Sequence, residues 1–88
     1  MTLNFPNLSR CYDSTRHMVR FWGHDRSMEA SFFVSEEALH RIQPDLEFNA
    51  EGFLRTFDLH RDRIHAVAGR VYARSGRMSS YDLCASDF

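Results

Sequence analysis

Between Ser9 and Val34 apolar and polar residues alternate with a period of two. In Val19-Arg20-Phe21-Trp22, Val19 and Phe21 point one way and Arg20 and Trp22 the other; Met28, Ala30, Phe32 and Val34 likewise share a face opposite Glu29, Ser31 and Phe33. The alternation predicts two strands. Gly23-His24-Asp25-Arg26 between them carries the Gly and Asp of a turn, which makes an antiparallel hairpin the expected connection. Asp13-Ser14-Thr15 reads as an earlier turn, joining a short strand around Arg10–Tyr12 to the first of the pair, with Leu3 and Phe5 as a candidate extension of the meander.

The period then changes. Ser35 followed by Glu36 and Glu37 is a helix start, with a hydroxyl for the free N–H groups and two carboxylates against the positive end of the dipole. Ala38, Leu39 and Ile42 give that helix its apolar side, and Pro44 stops it. Asn49 offers the next cap. From Ala50 to about Arg74, Phe53, Phe57, Ile64, Val67 and Val71 recur at helical spacing, with His60 filling the remaining place on the stripe, and the spacing predicts one long amphipathic helix ending at Ser75-Gly76. Gly52 and Gly69 each cost such a helix about 1 kcal/mol relative to Ala. The tail from Ser80 to Ala85 alternates again, placing Tyr81, Leu83 and Ala85 on one face of a final strand. The order β-β-β-α-α-β predicts a single α+β domain over residues 1–88, an antiparallel sheet covered on one face by the long helix.

Composition narrows the class of protein. Eighty-eight residues, 43% hydrophobic and 14% aromatic, suit one folded domain, and no apolar run approaches the ~18–20 residues of a membrane span. A domain of this size buries only about 60–65% of its unfolded surface, so association with a second copy would be an unsurprising supplement to its stability. The start, Met1 to Asn7, has neither a basic region nor an apolar stretch of a secretory signal, and the expected location is the cytoplasm. In that compartment Cys11 and Cys84 are expected as two half-buried thiols rather than a disulfide, Cys84 as a small apolar filler. The formal net charge of −1 announces no polyanionic partner, and the eleven basic residues, all Arg, carry no functional signal by number alone.

The segments Val19-Arg20-Phe21-Trp22-Gly23, Ser31-Phe32-Phe33-Val34, Arg61-Asp62-Arg63-Ile64-His65-Ala66 and Ser80-Tyr81-Asp82-Leu83, in this order, resemble domain-of-unknown-function family 1488, small bacterial proteins. The resemblance runs from about Leu3 to Phe88. It implies a bacterial, stand-alone α+β domain and supplies no activity, cofactor or catalytic residue.

Candidate chemistry is sparse. His60 and His65 on one helix lie about 140° apart and cannot share a metal ion as an i, i+4 pair would, so His60 is expected as a core or interface histidine with one hydrogen-bond partner. His24 beside Asp25 is explained by turn composition. No surrounding pattern marks either cysteine as a nucleophile, and Gly23, Gly52, Gly69 and Gly76 are scattered rather than gathered into a phosphate loop. No catalytic residue, metal or cofactor is expected. Two surfaces remain. If Arg20 and Trp22 project from the sheet face away from the helix, Trp22 would be exposed unless a protein partner or a second subunit covers it, or unless the N-terminal segment with Leu3, Phe5 and Leu8 folds over that face. Arg63, Arg70 and Arg74 fall within a ~40° sector of the long helix, a basic edge that could contact nucleic acid or stand as an ordinary solvated flank. A non-catalytic interaction or homodimeric module is therefore the leading expectation, ahead of nucleic-acid binding.

Overall fold

The computed structural model describes residues 3–88. Five strands and three helices follow one another as β1 (Leu3–Asn4), β2 (Arg10–Asp13), β3 (Met18–Asp25), β4 (Met28–Ser35), α1 (Glu36–Ile42), α2 (Ala50–Leu59), α3 (Arg61–Ser75) and β5 (Ser80–Leu83), closed by a 3-10 turn at Ala85–Asp87. The α+β class holds. Strands β1 and β2 pair with the same edge of β3, β3 pairs with β4, and β4 with β5. The first three pairings are antiparallel, whereas β5 runs parallel to β4 in the register Ser31↔Ser80 to Val34↔Leu83. The sheet is thus mixed: the helices between β4 and β5 carry the chain back to its starting end, as a parallel crossover requires.

The hairpin β3–β4 pairs Met18 with Ser35 through to Asp25 with Met28, so the turn is Arg26-Ser27, later than the Gly23–Arg26 segment that composition suggested. Arg26 takes the left-handed conformation, φ 60°, within that two-residue turn. Gly23 lies inside β3 for a different reason: a Cβ there would stand 2.8 Å from the Phe5 ring and close to Leu3 and Phe32. The glycine makes room for the N-terminal segment to cross the sheet.

One face of the sheet carries the core. Val19 and Phe21 of β3, Phe32 and Val34 of β4, and Tyr81 and Leu83 of β5 pack against Leu39, Phe53, Phe57, Ile64, Val67, Ala68 and Val71 from the helices. Each large side chain so buried is worth about 1.5–3 kcal/mol. Ser35 caps α1, its hydroxyl accepting from the Ala38 N–H at 3.0 Å, and Asn49 caps α2, accepting from the Gly52 N–H at 2.7 Å.

The expected single helix from Ala50 to Arg74 is two. His60, with φ −112° and ψ 23°, separates α2 from α3, and its Nε2 lies 2.9 Å from Gln43 Oε1 at the end of α1. His60 is half-buried at the joint rather than part of the apolar stripe. The break lets α2 lie along β2 and β3 while α3 turns towards β5, two lines that one straight helix could not follow. Asp58 accepts from Arg10 of β2 at 2.7 and 2.9 Å, and also from Arg61 across the break at 2.7 Å, interactions that hold the carboxyl below its ordinary pKa. Tyr72 of α3 donates to Asp25 at 2.8 Å and so fastens the far end of the helix to the hairpin tip.

Candidate interaction surface

Because all three helices lie on one side, the opposite face of the sheet is formed by strand residues of the other parity, and no described element lies across it. Met18, Arg20, Trp22 and His24 project from β3, Glu29, Ser31 and Phe33 from β4, Ser80 and Asp82 from β5, and Cys11 from β2. The N-terminal segment goes the other way. Leu3 and Phe5 pack against the core, with the Phe5 ring stacked on His65 of α3 at 3.9 Å between centroids, and Leu8 is exposed. The covering of Trp22 by that segment is thereby excluded among the described residues.

Phe33 is only 5% exposed, although it stands outside the core cluster on this second face. Arginine side chains shield it. The Arg16 guanidinium lies 4.6 Å from its ring centroid, and that of Arg20 5.5 Å from the same ring and 5.1 Å from Trp22. Stacking of this kind contributes about 0.5–1 kcal/mol per contact at exposed sites. Arg20 also donates to Ser31 Oγ at 3.1 Å, but its Nε is buried without a hydrogen-bond partner and it has no carboxylate partner among the described residues. A buried unsatisfied donor costs about 1–3 kcal/mol, comparable with everything the stacking returns.

Across the strands these residues form two rows. Pairing places Arg20 beside Phe33 and Phe33 beside Asp82; one step along, Trp22 stands beside Ser31 and Ser31 beside Ser80. At ~4.8 Å per strand, Arg20 and Asp82 are roughly 10 Å apart and do not reach one another within the chain. The sequence pattern identified Arg20 and Trp22; it did not identify Phe33, Arg16, Asp82 or Ser80. An aromatic residue at the polar parity of β4 was the available signal for Phe33. Nothing local could place Asp82 next to it, since that depends on the parallel pairing of β5.

Arg63, Arg70 and Arg74 share one exposed flank of α3, in the helix layer, and do not join Arg20 and Trp22 on a common surface. Arg74 donates to Asp87 at 3.2 Å, and Arg63 lies 5.9 Å from the Phe88 ring. Arg70 has no ion-pair partner among the described residues. This edge is thus partly folded against the chain's own C-terminal turn.

Both thiols are free and exposed, contrary to the half-buried expectation. Cys84 is not a filler: β5 ends at Leu83, and the Cys84 N–H donates to Asp87 Oδ2 at 2.9 Å at the start of the 3-10 turn, holding the Asp87 carboxyl below its ordinary pKa. Tyr12, Glu36 and His17 cluster at the same end of the strands but towards the opposite edge of the sheet, where the Tyr12 hydroxyl donates to Glu36 Oε2 and its pKa rises in consequence. His24 stands 3.6 Å from Glu29. Among the described residues no group of three His, Cys, Asp or Glu is placed to hold a metal ion, and no helix is long and apolar enough to cross a membrane. Shallow depressions of about 390 and 420 Å³ lie at the hairpin tip beside Arg26 and Arg77 and at the α2–α3 joint, away from the sheet face.

The fold is similar to that of a crystal structure of a protein of unknown function from the DUF1488 family of Shewanella loihica PV-4, with a TM-score of 0.81 and 15% identity over 94% of each chain. No curated protein matches the chain. Residues 3–84 match the family described as protein of unknown function (DUF1488), and the chain therefore belongs to the DUF1488 family.

Proposed function

We propose that the chain is a non-catalytic protein-interaction module whose docking surface is the uncovered sheet face centred on Arg20, Trp22 and Phe33. The single observation that carries this reading is Arg20: a partly buried guanidinium stacked on two aromatic rings, without a carboxylate partner among the described residues, on a face that no described element covers. A partner carboxylate would pair with the outer N–H groups of the guanidinium and remove the indole from water, and aromatic and Arg side chains are the residues that dominate such contacts. Binding of nucleic acid through Arg63, Arg70 and Arg74 ranks second, because the Asp87 carboxylate already occupies Arg74 and the net charge of −1 opposes a polyanion.

The test is a photo-reactive phenylalanine analogue placed at Trp22, with a control at exposed Ala66 on α3, both irradiated in the cells that make the protein. The expected result is a discrete adduct from position 22 and none of that mass from position 66. Identical ladders from both positions, or no adduct from position 22, would overturn the reading.

A further inference from the structure

Resting on that reading, we infer that the occupant of the open face is a second copy of the chain, packed sheet to sheet about a two-fold axis that runs along β4. Such an axis lays β3 of one copy over β5 of the other, since these strands flank β4 on either side. The two rows then become self-complementary. In the first, Arg20 and Asp82 flank Phe33, so the operation sets each Arg20 against the other copy's Asp82, with Phe33 at the axis beneath its own Arg16 and Arg20. In the second, Trp22 and Ser80 flank Ser31, and each indole meets a serine, bulk over a gap. The positions on either side of β4 are thus matched in charge and size by one operation, while Arg16, which lies over Phe33 near the axis, has Asp13 of its own chain at 3.8 Å. Among the described residues Arg20 has no carboxylate partner and Asp82, exposed, has no cationic one.

Glu29 lies on β4 near the axis and would face its own copy, but at the far end of the strand, exposed to solvent and beside His24 at 3.6 Å. Aligned packing of two twisted sheets at about −30° further separates the ends of the strands from the centre. The operation overlaps only β3, β4 and β5: the eight residues of β4 lie on their copy and the four of β5 lie on β3 on either side, a facing area on the order of 250 Å² per copy at ~4.8 Å between strands and ~3.3 Å per residue. Two copies reach about 500 Å², below the ~1,200 Å² of stable interfaces, which describes a weak and readily dissociated dimer.

The test is sedimentation of the wild type, Arg20→Asp, Asp82→Arg and an equimolar mixture of the two variants. The two-fold doubles every substitution. Arg20→Asp sets two carboxylates against two others, Asp82→Arg sets four guanidinium groups together, and each is expected to weaken self-association by on the order of a hundredfold or more. In the mixture every facing pair is again of opposite sign, so two variants that are monomeric alone are expected to form a heterodimer. Far-ultraviolet circular dichroism checks that each variant is folded, and recovery in the mixture is itself a check that neither has lost its face. A wild type that is monomeric up to about 100 µM, variants that associate like the wild type, or a mixture that stays monomeric would each overturn the inference. The broader reading fails separately: a monomeric wild type whose position-22 adduct has a mass other than twice 10.3 kDa leaves docking intact and replaces the second copy by another protein.

Discussion

His65 lies half-buried between the Phe5 ring and the core, stacked on Phe5 with 9° between planes and close to Phe21 and Phe57. Burial pushes its pKa from 6.5 down to about 4, the nearby Arg61 charge adding to the effect and Asp62 opposing it. The folded chain therefore binds fewer protons at this site than the unfolded chain, so stability rises with pH across the window between those values and is lost as pH falls from about 6.5 to 4. The expected outcome is a thermal midpoint that declines through this window in the wild type and is nearly flat there in His65→Phe. The carboxyls of Asp58 and Asp87, both depressed, act only below their ordinary value of 3.8 and leave the window to His65. Thermal melts at half-unit pH steps provide the check; equal declines in the two proteins would contradict it. The packing role of His65 was not visible in the sequence, because it depends on a segment sixty residues away crossing the sheet at Gly23.

At the scale of elements, two helical glycines that look alike in the sequence have opposite consequences. A Cβ at Gly52 would stand 2.0 Å from the Glu47 carbonyl oxygen, which is backbone and cannot swing aside, whereas a Cβ at Gly69 would meet nothing within 4 Å. Gly52→Ala is expected to destabilise by about 2–3 kcal/mol, as overpacking does, and Gly69→Ala to stabilise by about 0.5–1 kcal/mol through the unfolded chain. Chemical denaturation of the two variants measures both; a shared sign would be the contrary result. The strands β3 and β4, the capped start of α1 and the Asn49 cap were legible because each is written in local periodicity or capping chemistry. The break at His60 was not. No Pro or Gly marks it, and the stripe from Phe53 to Val71 continues across it; only the demands of β2 on α2 and of β5 on α3 divide the helix. The direction of β5 was equally hidden, since alternation fixes which residues face inward but not which way a strand runs.

For the molecule as a whole, the sequence indicated a face and not its arrangement. Alternation alone put Arg20 and Trp22 on one face opposite Val19 and Phe21, and the structure turns that face away from the helices, leaves it uncovered and sends the N-terminal segment to the other. The rows that pair Arg20 with Asp82 and Trp22 with Ser80 arise from strand order and register, which are tertiary properties. The Arg63, Arg70 and Arg74 sector was also legible as a sector, but the docking of Asp87 and Phe88 against it was not. Trp22 is the sole tryptophan of the chain, so its fluorescence reports on the sheet face alone. Acrylamide quenching of Trp22 on serial dilution, from about 100 µM to about 100 nM, tests the central claim most directly. Occupation of the face by a second copy predicts a shielded indole at high concentration that becomes quenchable, with red-shifted emission, on dilution, and an Arg20→Asp variant quenched alike throughout. A quenching constant independent of concentration in the wild type would contradict it.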